Sequence, residues 1–125
     1  MRRIKLNWQC CDLNKRCRLV ASNQFQYIPD DLFGVYVIWE FITPHSKNII
    51  RVGQGNIKER LCSHKDDSQI VGDSNMPRFL YVAYAKVDEE YVDGVEAFLG
   101  HALDPNIGKR FPNADMIEVN FPVLG

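Results

Sequence analysis

Apolar positions along the chain follow two different periods, and these set the expected elements. "GVYVIWEFI" (Gly34–Ile42) is dense in β-branched and aromatic residues and reads as a strand. "IIRV" (Ile49–Val52) reads as a second strand, and the polar, proline-containing "TPHSKN" between them is short enough for a hairpin. "RFLYVAYAKV" (Arg78–Val87) reads as a third. The helical period appears at Tyr91, Val92, Val95, Phe98, Leu99, Ala102 and Leu103. These make one face of a helix capped by Asp88, with Glu89 and Glu90 in its first turn and its end before Pro105. A shorter helix is expected from Ile57 to about Asp66, docked through Ile57 and Leu61, with Asn56 as cap and Glu59 at the third position.

Between these elements, "IPDDLFG" (Ile28–Gly34) is a turn-rich entry and "DDSQIVGDSNMP" is a loop. The tail is irregular apart from a short strand expected at Met116–Asn120. The order strand–strand–helix–strand–helix predicts a small α/β (α+β) domain, a hairpin and a third strand covered by helices.

Composition narrows this further. A chain of 125 residues fits one domain and can bury a core without disulfide staples. No apolar run approaches the roughly 18–20 residues needed to cross a bilayer. The start "MRRIKLNWQCC" has no apolar segment behind its basic residues, so a cytoplasmic protein without a membrane partner is expected. Cys10, Cys11, Cys17 and Cys62 offer no CxxC pair, and reduced thiols are the simpler reading than structural zinc. The net charge of −1 is unevenly spread. Arg2, Arg3, Lys5, Lys15, Arg16 and Arg18 face only Asp12 in the first 28 residues, which leaves −6 for the rest. Residues 1–27 therefore read as a basic arm, with Trp8, Leu19, Val20, Phe25 and Tyr27 as anchors, on or before a core at 28–125. A solvated surface segment would have the same composition.

The candidate chemistry begins at "NIIRVGQGNIKERLCSH" (Asn48–His64). Gly53 and Gly55 break the second strand where it turns into the helix and permit close backbone approach. They match neither the dinucleotide fingerprint, since Lys58 stands where the next glycine is required, nor the P-loop. Arg60 and His64 lie one helical turn apart and project from one face. Arg60 borders the apolar stripe, from which a guanidinium can reach a phosphate or simply lie over its neighbours. Glu96 falls four residues after Val92 and three before Leu99, on or beside the buried face. A carboxylate there needs a cation, a hydrogen-bond donor or a metal; a pair with Arg60 and a metal site both satisfy it. Tyr36 shares a strand face with Gly34 and Ile38, and either packs in the core or sends its hydroxyl into a cleft.

Taken together, these residues resemble the GIY-YIG nuclease family. "GVY" (Gly34–Tyr36) resembles the first half of the name motif, and "RVG" (Arg51–Gly53) falls where the second half belongs. Arg60, His64 and Glu96 follow in the family's order, and the resemblance spans about residues 28–122. It implies a three-stranded antiparallel central sheet flanked by helices, and DNA phosphodiester cleavage with one divalent ion, Mg²⁺ or Mn²⁺. It implies that Glu96 holds the metal, Arg60 clamps the phosphate, and Tyr36 with His64 prepares the attacking water. Arg51, Gly53, Gly55, Lys58 and Asn106 become candidate substrate contacts. One departure stands out: Arg51 occupies the place of the second motif's tyrosine. An arginine stays protonated and cannot act as a base. It can bind phosphate or, by its charge, favour the ionised phenol of Tyr36. The alternative is a catalytically impaired module that binds nucleic acid or a protein partner without cutting.

Overall fold

The computed structural model describes residues 2–9, 17–18, 28–64, 70, 80–108 and 111–123. Its elements run β1 (Arg2–Ile4), β2 (Cys17–Arg18), β3 (Phe33–Thr43), β4 (Ser46–Asn56), α1 (Ile57–His64), β5 (Tyr81–Lys86), α2 (Glu89–Leu103) and β6 (Ile117–Val119). From β3 onward the strand and helix order matches the sequence pattern; β1 and β2 are strands that the sequence reading did not expect in the arm. Of the sequence-derived anchors, Leu19, Val20, Phe25 and Tyr27 lie outside the described residues, as does most of "DDSQIVGDSNMP".

The expected α+β fold with an antiparallel three-stranded sheet and two helices is present. β3 is the middle strand, paired antiparallel to β5 on one side and β4 on the other, and β2 adds two residues beyond β5. Residues 35–39 of β3 are all buried because the helices cover opposite faces of the sheet. On one face, Ile57 and Leu61 of α1 pack with Tyr36, Ile38, Ile50, Val82 and Tyr84. On the other, Val92, Val95 and Leu99 of α2 pack with Val35, Val37, Val52 and Ala85. Truncating a filled position such as Leu61 to alanine costs about 2–5 kcal/mol.

β4 is longer than expected. It begins directly after the two-residue turn at Pro44 and His45 and continues through both glycines to Asn56. The glycines therefore do not break the strand, as the sequence suggested. A Cβ on Gly53 would come within 2.2 Å of the Tyr36 hydroxyl, so this position makes room for the phenol. Of these two glycines, Gly55 takes a positive φ, 125°, which other residues rarely adopt. The strand then passes straight into α1, where Asn56 Oδ1 accepts the Glu59 amide at 3.0 Å, the expected cap. Asp88 caps α2 by position only, without a side-chain hydrogen bond to the helix.

The first residues are built into the fold. β1 pairs in parallel with β6, and Leu6 is buried in the α2-side core. The Asn120 side chain accepts the Leu6 amide at 2.6 Å and donates to the Leu6 carbonyl at 3.0 Å, extending that pairing by one step. Gln9 exchanges two backbone hydrogen bonds with Tyr84 of β5. Part of the arm's charge is engaged here: Arg3 pairs with Glu118, and Arg2 stands 5.2 Å over the Tyr91 ring. No helix among the described residues is long and apolar enough to cross a membrane.

Candidate active site

The site forms around β4, next to the central strand, where residues from both faces of the sheet come together. Tyr36 lies on the α1 face, opposite Gly53 in the β3–β4 register. His64, in the last turn of α1, turns inward and is 7% exposed. The Tyr36 hydroxyl and His64 Nε2 are 2.5 Å apart. Arg60, one turn earlier, stays exposed and donates from Nε to the Gln54 carbonyl at 3.2 Å. The bare face of Gly55 is what admits this arginine, since a Cβ there would sit 3.1 Å from Arg60 Nε.

Glu96 reaches the same region from α2. It is 9% exposed, as its place on the apolar stripe required. Among the described residues its hydrogen-bond partner is Gln54 and not Arg60: Glu96 Oε2 accepts from Gln54 Nε2 at 2.5 Å. The same amide nitrogen donates to Asp93 Oδ1 at 2.8 Å. Gln54 is a residue that the motif-based reading missed. The signal was the strand period: Gln54 alternates with Gly53 and so shares the α2 side with Val52. A groove of about 780 Å³ adjoins this turn of α2, lined in part by Tyr91, Asp93, Asp115 and Ile117.

Arg51 lies near enough to the Tyr36 phenol for its charge to favour the ionised form. Its Nε is buried and, among the described residues, has no partner. The loop after α2 closes over it. Asn106 N donates to Ile49 O at 3.0 Å and Ile107 N to Ile50 O at 2.9 Å, which lays the loop along β4. Gly108 then abuts the guanidinium, where a Cβ would stand 2.6 Å from Arg51 Nη1. Asn106 thus uses its backbone on β4, and its side chain is exposed. Lys58 pairs with Asp30 at 2.7 Å, in the turn before β3, and holds that carboxyl below its usual range.

The electrostatics follow from depth. Burial raises the Tyr36 phenol above its ordinary 10.0, and the charges of Arg51 and Arg60 pull against this without overcoming it. Burial likewise raises Glu96 above 4.5; the Gln54 bond opposes it, the Asp93 charge adds to it, and Arg51 and Arg60 again oppose. Arg51 and Arg60 therefore act on both ionisable groups. Among the described residues no group of three histidine, cysteine or carboxylate side chains converges. A divalent ion here would have one buried carboxylate and would complete its shell with phosphate oxygens and water, a donor set that suits Mg²⁺. Glu96 fits that role: it is a costly buried anion held by one neutral amide.

No protein-family model, no curated protein and no solved structure matches the chain.

Proposed function

We propose that the chain is a metal-dependent DNA endonuclease working through a GIY-YIG-like site, in the cytoplasm, where a free thiol such as Cys62 is stable. The observation that carries this reading is the Tyr36–His64 hydrogen bond at 2.5 Å, with Arg51 beside the phenol. The buried Tyr36 hydroxyl can donate to His64 Nε2 across this bond when that nitrogen carries no proton. Tyr36 can then take a proton from a water as it gives one to His64, and His64 becomes the cation that balances the site. Arg60, exposed at the mouth with its Nε fixed on the Gln54 carbonyl, presents the rest of its fork to a phosphate. Glu96 would hold a single Mg²⁺ or Mn²⁺. When bound, that ion supplies charge neutralisation on the phosphate and stabilises the leaving oxygen. Gln54 sets the carboxylate's orientation.

The test is cleavage of plasmid DNA by purified protein in Mg²⁺ or Mn²⁺, expected to be lost in Glu96→Gln and in Arg60→Ala. Robust cleavage that survives both substitutions would show this site to be the wrong one.

A second reading rests on Arg51 itself. With arginine where the family has tyrosine, and with the Tyr36 phenol raised by burial, the site could hold a backbone phosphate without cutting. That reading expects salt-sensitive DNA binding, no cleavage, and cleavage recovered by Arg51→Tyr.

A further inference from the structure

β3 and β4 extend past the rest of the sheet. β3 pairs with β5 from Gly34–Lys86 only as far as Trp39–Tyr81, whereas its pairing with β4 continues through Glu40–Asn48, Phe41–Lys47 and Thr43–Ser46. Among the described residues, the hairpin therefore projects past β5 as a two-stranded ribbon. Its own side chains preorganise it. Asn48 Nδ2 donates to Glu40 Oε1 at 3.2 Å, and Lys47 Nζ stands 5.9 Å from the Phe41 ring centroid. At the turn, Thr43 Oγ1 lies 2.9 Å from Ser46 Oγ and accepts the His45 amide at 3.2 Å. The register shifts between Phe41 and Thr43, as at a β-bulge, and such bulges re-aim a side chain. The residue at that shift is Ile42, which is 65% exposed. Most of this β-branched apolar side chain stands in water at the tip of the ribbon.

The ribbon stands in a fixed relation to the candidate site. Ile42 is six residues beyond Tyr36 on one continuous strand, about 20 Å away. The tip, residues 41–47, carries the Lys47 cation and no carboxylate, and the Glu40 carboxylate beside it is bonded to Asn48. A two-stranded ribbon fits the major groove of a DNA duplex, which is roughly 12 Å wide. We propose that the β3–β4 ribbon enters a groove of the duplex whose backbone lies at Tyr36, Arg60 and Glu96, with Ile42 as the apolar contact and Lys47 on a phosphate. This rests on the DNA reading above and adds to it the surface that orients the duplex.

The experiment compares the full chain with an Ile42→Ser/Lys47→Gln double variant by anisotropy of a labelled duplex, without divalent ion, at ~50 mM salt. Both side chains are exposed, so the fold should be unaffected. Duplex affinity is expected to fall about tenfold, with a hydroxyl-radical footprint shortened on one flank and affinity for single-stranded DNA unchanged. A duplex affinity within about twofold of the parent's, with the same footprint, overturns the ribbon assignment, and so do equal losses on duplex and single strand. If the parent cleaves DNA and the double variant matches it in affinity and footprint, only the ribbon falls. If the parent neither binds nor cleaves duplex DNA, the DNA reading falls and takes the ribbon with it.

Discussion

The Tyr36 hydroxyl and His64 Nε2, 2.5 Å apart, join the central strand to the last turn of α1 inside a buried pocket. This bond is the route by which a proton passes between the two rings, and the charge of Arg51 favours the ionised phenol. Removing either partner should therefore stop the same step. Tyr36→Phe is expected to lower the cleavage rate by about 10²–10⁴-fold. His64→Gln should fall in the same range, and the double variant should be little worse than the poorer single, because groups that act as a unit are non-additive. Single-turnover nicking rates measure this; losses that multiply would mean that the two residues work independently.

Glu96 contributes to the site at a cost to the fold. Its folded-state value lies above 4.5 because burial opposes the charge, so the ionised carboxylate destabilises the native state. The sign follows directly. Below the unfolded value both states are protonated and no penalty exists; as pH rises through the folded value the penalty develops fully and then stays constant. Glu96→Gln should therefore raise the Tm of the metal-free protein at neutral pH, with the gain disappearing in acid. The same variant should lose at least about 10²-fold in cleavage. Metal affinity of the parent should decline on acidification at a pH above the usual carboxylate range, readable by titration with Mn²⁺. A Tm for Glu96→Gln below the parent's at neutral pH would contradict the assigned cost.

Gly53 is needed for space, since its absent side chain is where the phenol lies, with the Tyr36 hydroxyl 2.2 Å from a Cβ placed there. Gly53→Ala must move the ring or the strand, an overpacking that costs about 1–3 kcal/mol in denaturant unfolding. Displacing the phenol by even about 1 Å should cost roughly 10²-fold in rate. Duplex binding should persist. Wild-type cleavage by Gly53→Ala would mean that Tyr36 does not need its present position.

Much of this arrangement could be read from the sequence because it follows periodicity. The β-branched run at residues 34–42 and the helical stripe from Val92 to Leu103 fixed two elements that cover each other. The phase of Glu96 within that stripe is enough to place it at the buried face. What local pattern could not give was pairing between distant segments. β1 is three residues long and pairs with β6, and the Asn120 amide holds Leu6 just beyond it, partners more than a hundred residues away in the chain. Gln54 escaped for a related reason: a polar residue between two glycines has no meaning until α2 brings Asp93 and Glu96 over it. Turn chemistry alone makes the two glycines look like strand breakers, because the β3 side chain that fills the space at Gly53 is distant in the chain.

Arg51 offers the sharpest test of mechanism, because its two possible duties leave different traces. If its charge serves the phenol, cleavage should rise with pH as the hydrogen-bonded Tyr36–His64 pair loses its shared proton, and removing the charge should move that limb to higher pH. The sign is fixed by the physics: burial raises the phenol, Arg51 lowers it, and Arg51→Met leaves burial with less opposition. If Arg51 serves the phosphate instead, Arg51→Met should raise KM and flatten the salt dependence of binding without moving the limb. Arg51→Lys separates charge from shape. It keeps the cation but loses the planar fork that Gly108 abuts, so the limb should stay near the parent's while the rate falls by about tenfold. We expect the limb to shift in Arg51→Met and to hold in Arg51→Lys. A pH–rate profile of kcat that is the same in all three proteins would remove Arg51 from the chemistry of Tyr36 and leave it as a phosphate contact.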